Sequence, residues 1–145
     1  MKQTLSTKSQ KASDIVRRWH LVDVDGAIVG RAATGIATKL QGKQKVNYVD
    51  YLDCGDYVVV VNAKNVKFTG RKLEAKIYTR YSGYPGGLTE QTAQEVKDTD
   101  PTLIIKNAVS RMLPKNKHRD PRMSRLFVYA GADHPYAQKL DGNKS

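Results

Sequence analysis

The 145-residue chain has one cysteine, one tryptophan, two phenylalanines and three histidines. A lone Cys54 excludes an intramolecular disulfide and fits a reducing compartment. Beside a strand pattern it reads as a small buried apolar residue rather than a nucleophile. Long apolar runs are also lacking. The strongest, residues 57–61, falls far short of the roughly 20 residues that span a bilayer. The first residues carry no signal-peptide apolar stretch, so the protein is expected to stay in the cytoplasm with no membrane partner. His20, His118 and His134 are too scattered for a ligand set, and no cysteine pair accompanies them. No serine sits in a nucleophile-elbow context. The expectation is no enzyme, no metal and no cofactor.

Negative charge is scarce as well. There are 14 Asp and Glu against 25 Lys and Arg, giving a net charge of +11 and a pI near 9.8. A surplus of this kind releases counterions when it meets phosphates, although it also serves plain solubility. Its distribution favours a polyanionic partner. Lys106, Arg111, Lys115, Lys117, Arg119, Arg122 and Arg125 crowd into one stretch with Asp120 as its only acid. That stretch lies between a helix pattern and a strand pattern, so its charges sit on anchored backbone.

The length suits one domain with one core. Residues 1–16 read as a basic flexible N-terminal arm, residues 17–131 as a single α/β RNA-binding domain, and residues 132–145 as a polar C-terminal extension. Residues 18–24 alternate as a strand should, with Trp19 and Leu21 on one face and His20, Val22 and Val24 on the other. Asp25-Gly26 supplies a turn. Ala33, Ile36, Ala37 and Leu40 then fall on one helical face that ends at Gly42. Residues 56–61 run continuously rather than alternating, the mark of a central parallel strand covered on both faces. Residues 66–69 read as a further short strand. Residues 76–81 are a polar-aromatic strand or extended loop that leads into a glycine-rich turn at 83–87.

Thr92-Ala93-Gln94-Glu95 is a capping box that opens a short helix. Asp100-Pro101 opens the longest helix, with a core face of Ile105, Ala108, Val109 and Met112 and a stop at Pro114. Asp120-Pro121 repeats the start signal for a short turn, and residues 127–130 form the last strand. The element order predicts a three-layer α/β/α domain with a small, mostly parallel sheet.

Gly26, Gly30 and Gly35 follow a strand and open a helix, which raises the possibility of a phosphate loop. Neither the dinucleotide fingerprint nor the P-loop fits, because Ile36-Ala37 stand where the P-loop needs Lys and Ser or Thr. Gly30 therefore reads as a tight turn and Gly35 as a close helix–sheet contact, with an anion site still open near Arg31. Asp50, Asp53 and Asp56 resemble a carboxylate cluster but lack a calcium-loop spacing, and read as turn formers.

Tyr78, Arg80, Tyr81 and Tyr84 interleave rings with charge, as RNA-stacking surfaces do. A half-buried strand with tyrosines on the core explains them equally well. The candidate RNA-binding set is Arg31, Lys39, Lys43, Lys45, Arg71, Lys72, Arg80, Tyr81, Tyr84, Arg111, Lys115, Lys117, His118, Arg119, Arg122 and Arg125. The rival readings are a nucleotide-dependent α/β enzyme and a general nucleic-acid-binding protein. DNA is disfavoured because the basic run is not a recognition helix.

An ordered set of motifs resembles one family over nearly the whole chain. It runs from Trp19 with Val22-Asp23 through Gly30-Arg31-Ala32-Ala33, Gly55-Asp56-Tyr57, Val61-Asn62-Ala63, Thr69-Gly70 and Gly86-Gly87. It closes with Met112-Leu113-Pro114-Lys115, Val128-Tyr129-Ala130-Gly131 and His134-Pro135. The chain is similar to the bacterial form of large-subunit ribosomal protein thirteen. The resemblance implies a structural protein that binds large-subunit ribosomal RNA and joins the particle early in assembly. It also implies a four-stranded parallel sheet and large-subunit proteins three and twenty as neighbours. One departure stands out: where the family commonly carries glycines after Pro114, residues 115–123 contain none, and Pro121 stiffens the loop.

Overall fold

The computed structural model describes residues 9–141. Three parallel strands form the central sheet in the order β1–β2–β5, where β1 is Trp19–Asp23, β2 is Tyr57–Val61 and β5 is Leu126–Val128. The register sets Trp19 beside Tyr57, Val22 beside Val60, and Val60 beside Val128. As a parallel strand between two others, β2 is buried along Val58, Val59, Val60 and Val61. The four-stranded expectation is corrected to three. The fourth segment, residues 66–69, makes a single parallel bridge from Lys67 to Ile28. Its neighbours turn away at once, with Asn65 and Gly70 bounding so short a run that no ladder can extend.

One face of the sheet carries the main core. Helix α1 (Val29–Gln41) lays Ala33, Ile36, Ala37 and Leu40 onto it, at the spacing read from the sequence. Beyond α1 comes α2 (Lys72–Ala75), then an antiparallel hairpin of β3 (Ile77–Tyr81) and β4 (Leu88–Thr92). Next are α3 (Ala93–Thr99) and α4 (Pro101–Met112), and α4 adds Ile104, Ile105 and Val109 to the core beside α1. Thr92 and Glu95 form the anticipated capping box, and Asp100 caps α4 through the Thr102 N–H at 3.0 Å. Met112 does not join the core; it is 41% exposed, and Leu113 is buried in its place. The strand β4 was not foreseen: among the described residues it pairs only with β3, and its Thr-Glu-Gln-Thr sequence has no apolar face to betray it.

The other sheet face is covered by a thin aromatic layer. Trp19 stacks on Tyr57 at 4.4 Å and on Tyr136 at 5.0 Å, while Phe127 meets Tyr136 at 4.6 Å. Helix α6 (Ala137–Asp141) follows, and Lys139 sits 4.9 Å over the Trp19 ring. The C-terminal segment read as a polar extension therefore supplies a docking ring, completing the three layers. Of the segment read as a flexible arm, residues 1–8 lie outside the described residues. Its remainder touches the body, where the Tyr51 hydroxyl donates to the Gln10 carbonyl at 3.3 Å and Lys45 Nζ to the Val16 carbonyl at 2.8 Å.

Beside the central strand, close approach requires glycine at two positions. Gly42 ends α1 at φ +79°, against the Cys54 backbone, and a Cβ on Gly55 would collide with the Leu40 carbonyl. The sequence readings of Gly30 and Gly35 are corrected. Gly30 lies within the first turn of α1, and Gly35 faces open space on the exposed side of that helix. Gly55→Ala should therefore destabilise the fold by at least about 2 kcal/mol. Gly35→Ala should leave stability unchanged or raise it by up to about 1 kcal/mol. Urea midpoints of the two variants test the contrast, and equal midpoints would refute it.

Candidate nucleic-acid interface

The loop after α4 is built to hold its cations outward. Leu113, 2% exposed, pins its near end, and Pro114 prevents the helix from continuing. The Asn116 side chain accepts the His118 N–H at 3.1 Å, and the Arg119 N–H donates to the Asn116 carbonyl at 3.1 Å. Helix α5 (Arg119–Ser124) then starts at Arg119 with His118 as N-cap, two residues before the expected Asp120 cap and Pro121 start. Lys115 and Lys117 are fully outward, while His118 and Arg119 are half-buried at the turn. Arg119 lies 3.8 Å from Asp120, a surface pair of little energetic weight.

Arg122 and Arg125 do the opposite. Both were expected at the surface, and both are buried, at 2% and 7% exposure. Arg122 Nε lies 3.3 Å and Arg125 Nη2 2.7 Å from the Asp53 carboxylate, which Arg17 also approaches at 3.8 Å. Lys45 is likewise turned inward, its Nζ 2.5 Å from Asp56 and 2.9 Å from the Cys54 carbonyl. The physical reason is common to all three. A buried carboxylate needs compensating charge, and these cations supply it.

Asp53 and Asp56 were read as turn formers, and their role as internal ion hubs was missed. The side chain of Asp56 is fully buried and accepts from Lys45, the Arg18 N–H at 3.0 Å, His20 at 2.9 Å and Gln44 at 3.0 Å. Burial pushes its carboxyl up, but Lys45, the Arg18 N–H and His20 together hold it below the ordinary carboxylate value. Burial likewise opposes Asp53, and Arg125, Arg122 and Arg17 outweigh it. The one signal available in sequence was an acid set between Gly55 and an apolar strand in a chain short of acids.

The outward candidates fall into further sets. Arg71 and Lys72 join Lys76 around a shallow cavity of about 530 Å³. Arg80, Tyr81 and Arg111 line a larger one, about 860 Å³, between the hairpin and α4. The tyrosine question is resolved by position. Tyr78 is half-buried against the core, whereas Tyr81 and Tyr84 are 64% and 75% exposed. Burial raises the Tyr78 hydroxyl, with Arg111 opposing. Tyr84, at the hairpin tip, is not part of the cavity lining. Arg31 and Lys43 are exposed at the two ends of α1, and Lys39 is half-buried in its last turn. Among the described residues no group of His, Cys, Asp and Glu could hold a metal, and no helix is long and apolar enough to cross a membrane.

A rigid α/β body, acids turned inward and cations displayed on held loops define a basic scaffold protein. Residues 17–135 match the family model described as ribosomal protein L13, and the chain belongs to that family. A large ribosomal subunit protein uL13 from Syntrophotalea carbinolica is 50% identical over 92% of this chain and 94% of its own. Proteins of the same name from Thermotoga maritima and Clostridioides difficile are each 48% identical, covering 89% and 88% of this chain and 87% and 89% of theirs. The family is a structural component of the ribosome and not an enzyme.

The hubs generate two predictions. Asp56→Ala leaves Lys45 without its counter-charge in the interior and should cost about 3–5 kcal/mol. Lys115→Ala should change stability by less than about 0.5 kcal/mol. Denaturant titration separates the two, and a mild Asp56→Ala would dismiss the hub. The second concerns pH. Both carboxyls sit lower in the folded state than the ordinary value of 3.8, so their stabilisation is complete above that value. It is lost as pH falls through the lower folded values. Unfolding midpoints measured from neutral pH downward should decline only in acid; stability that rises on acidification would contradict this.

Proposed function

We propose that this protein is a non-catalytic constituent of the large ribosomal subunit, cytoplasmic with the ribosome, that binds large-subunit ribosomal RNA and supports early assembly. The observation that carries this reading is the partition of charge. Asp53 and Asp56 are taken up by internal partners, so among the described residues Lys115 and Lys117 project without an acid partner and half-buried Arg119 has only its surface pair with Asp120. The mechanism is neutralisation and clamping. A rigid core holds basic loops at fixed separations, and each loop takes phosphates of a different RNA segment. Large-subunit proteins three and twenty are the neighbours this reading expects.

Family membership supports the ribosomal setting, and the relatives carry the large subunit in their names. The phosphate-contact set is exposed Lys115 and Lys117 with half-buried Arg119, and Arg31, Lys43, Arg71 and Lys72 are exposed as well. Arg122, Arg125 and Lys45 act through position, since they hold the segments that carry the exposed cations.

Co-sedimentation with large subunits through a high-salt gradient tests the ribosomal assignment. For isolated RNA, affinity should fall by roughly a thousandfold between about 50 and 200 mM salt if about six to eight cations meet phosphates. Replacing Lys115, Lys117 and Arg119 together with Ala should flatten that slope while thermal stability stays within about 1 kcal/mol of the parent. A response to salt that is flat from the outset would reject the clamp.

A further inference from the structure

The cavity lined by Arg80 and Arg111 has a lining that phosphate clamping alone does not explain. One wall is the inner face of the hairpin. Across its ladder Tyr78 pairs with Gln91 and Arg80 with Thr89, so these side chains share a face. The other wall is a single ridge of α4 at spacings of four, with Leu103, Asn107 and Arg111. The volume of about 860 Å³ falls within the range of small-molecule sites.

No carboxylate lines this groove. Glu90, between Thr89 and Gln91 in the strand, belongs to the opposite face by alternation. Among the described residues neither Arg80 nor Arg111 forms an ion pair. Two unpaired guanidiniums therefore share a concavity with two side-chain amides and a tyrosine. Tyr81, 64% exposed, extends the aromatic surface at its rim.

We propose that this groove takes an unpaired RNA nucleotide, with phosphates on Arg80 and Arg111 and the base edge on Gln91 and Asn107. The proposal rests on the RNA-binding reading and adds to it a site and a conformation of the RNA. Amides both donate and accept, which matches the mixed edge of a base and is not needed for a phosphate alone. An unpaired base also presents a flat face to tyrosine, whereas a duplex keeps its faces stacked and is too broad to enter.

Full-length protein, titrated with two labelled RNAs of about ten nucleotides, tests this: one single-stranded, one a duplex of matched length. Gln91→Leu and Asn107→Leu preserve every charge and fill the groove with apolar atoms. Each should weaken the single strand about tenfold and leave the duplex affinity within twofold. Lys115→Ala should weaken both RNAs alike. Melting curves accompany each variant, and should Asn107→Leu unfold, Gln91→Leu on the exposed hairpin supplies the reading. Unchanged single-strand affinity in a folded Gln91→Leu, with salt-dependent binding to ribosomal RNA intact, overturns the groove and spares the RNA-binding reading. Absence of salt-dependent binding by the parent protein overturns both. Displacement of the single strand by an acidic peptide of the same charge, with equal loss of peptide binding in Gln91→Leu, overturns the nucleotide assignment in favour of a protein segment.

Discussion

The fold depends on two carboxylates in the approach to the central strand, Asp56 buried and Asp53 half-buried. Asp56 ties β1, through His20 and the Arg18 N–H, to the loop after α1, through Lys45 and Gln44. Asp53 ties Arg17, two residues before β1, to α5 and its cap, through Arg122 and Arg125. Such clusters are poor evidence of net stability, because desolvation consumes much of the Coulombic gain. Their effect here is positional. The cations compensate their charge at the two carboxylates, so the segments that carry them are fixed relative to one another.

The outer surface follows from that inner arrangement. The loop bearing Lys115 and Lys117 is secured at its near end by buried Leu113. Its far end is secured by α5, whose Arg122 reaches back to Asp53 together with Arg125 just beyond. Two of the arginines that composition alone assigns to RNA are thus the anchors that hold their neighbours outward. A basic protein gains by this arrangement. Spending its few central acids inside the fold leaves the exposed loops unneutralised, which strengthens the field a polyanion meets.

Much of the architecture was legible in the sequence because it follows periodicity. Ala33, Ile36, Ala37 and Leu40 could pack only on a helical face, and residues 57–61 only in a covered strand. Thr92, Glu95, Asp100 and Pro101 announced their helix starts by local hydrogen bonding, which depends on nothing distant. The larger losses are non-local. β4 exists because β3 lies beside it, and residues 66–69 fail as a strand because no ladder continues there. Asp53 meets Arg122 and Arg125 across some seventy residues of chain, a pairing that no spacing rule encodes. The outward cations were found by composition, but which of them were outward was decided by the hubs.

The glycine-free loop acquires its meaning in this setting. Fixing a residue's backbone costs on the order of 1–2 kcal/mol, and a glycine-rich loop bears most of that cost when it meets its ligand. Here the Asn116 turn, the helical stretch through Pro121 and the ties to Asp53 have fixed the backbone during folding. On the proposed RNA-binding reading, the ordering is charged to the core's stability and not to the encounter with RNA. The same rigidity has a consequence for specificity. Cations that cannot rearrange favour one spacing of phosphates over others, so a loop with no sequence-reading contact still discriminates by the shape of the backbone it meets.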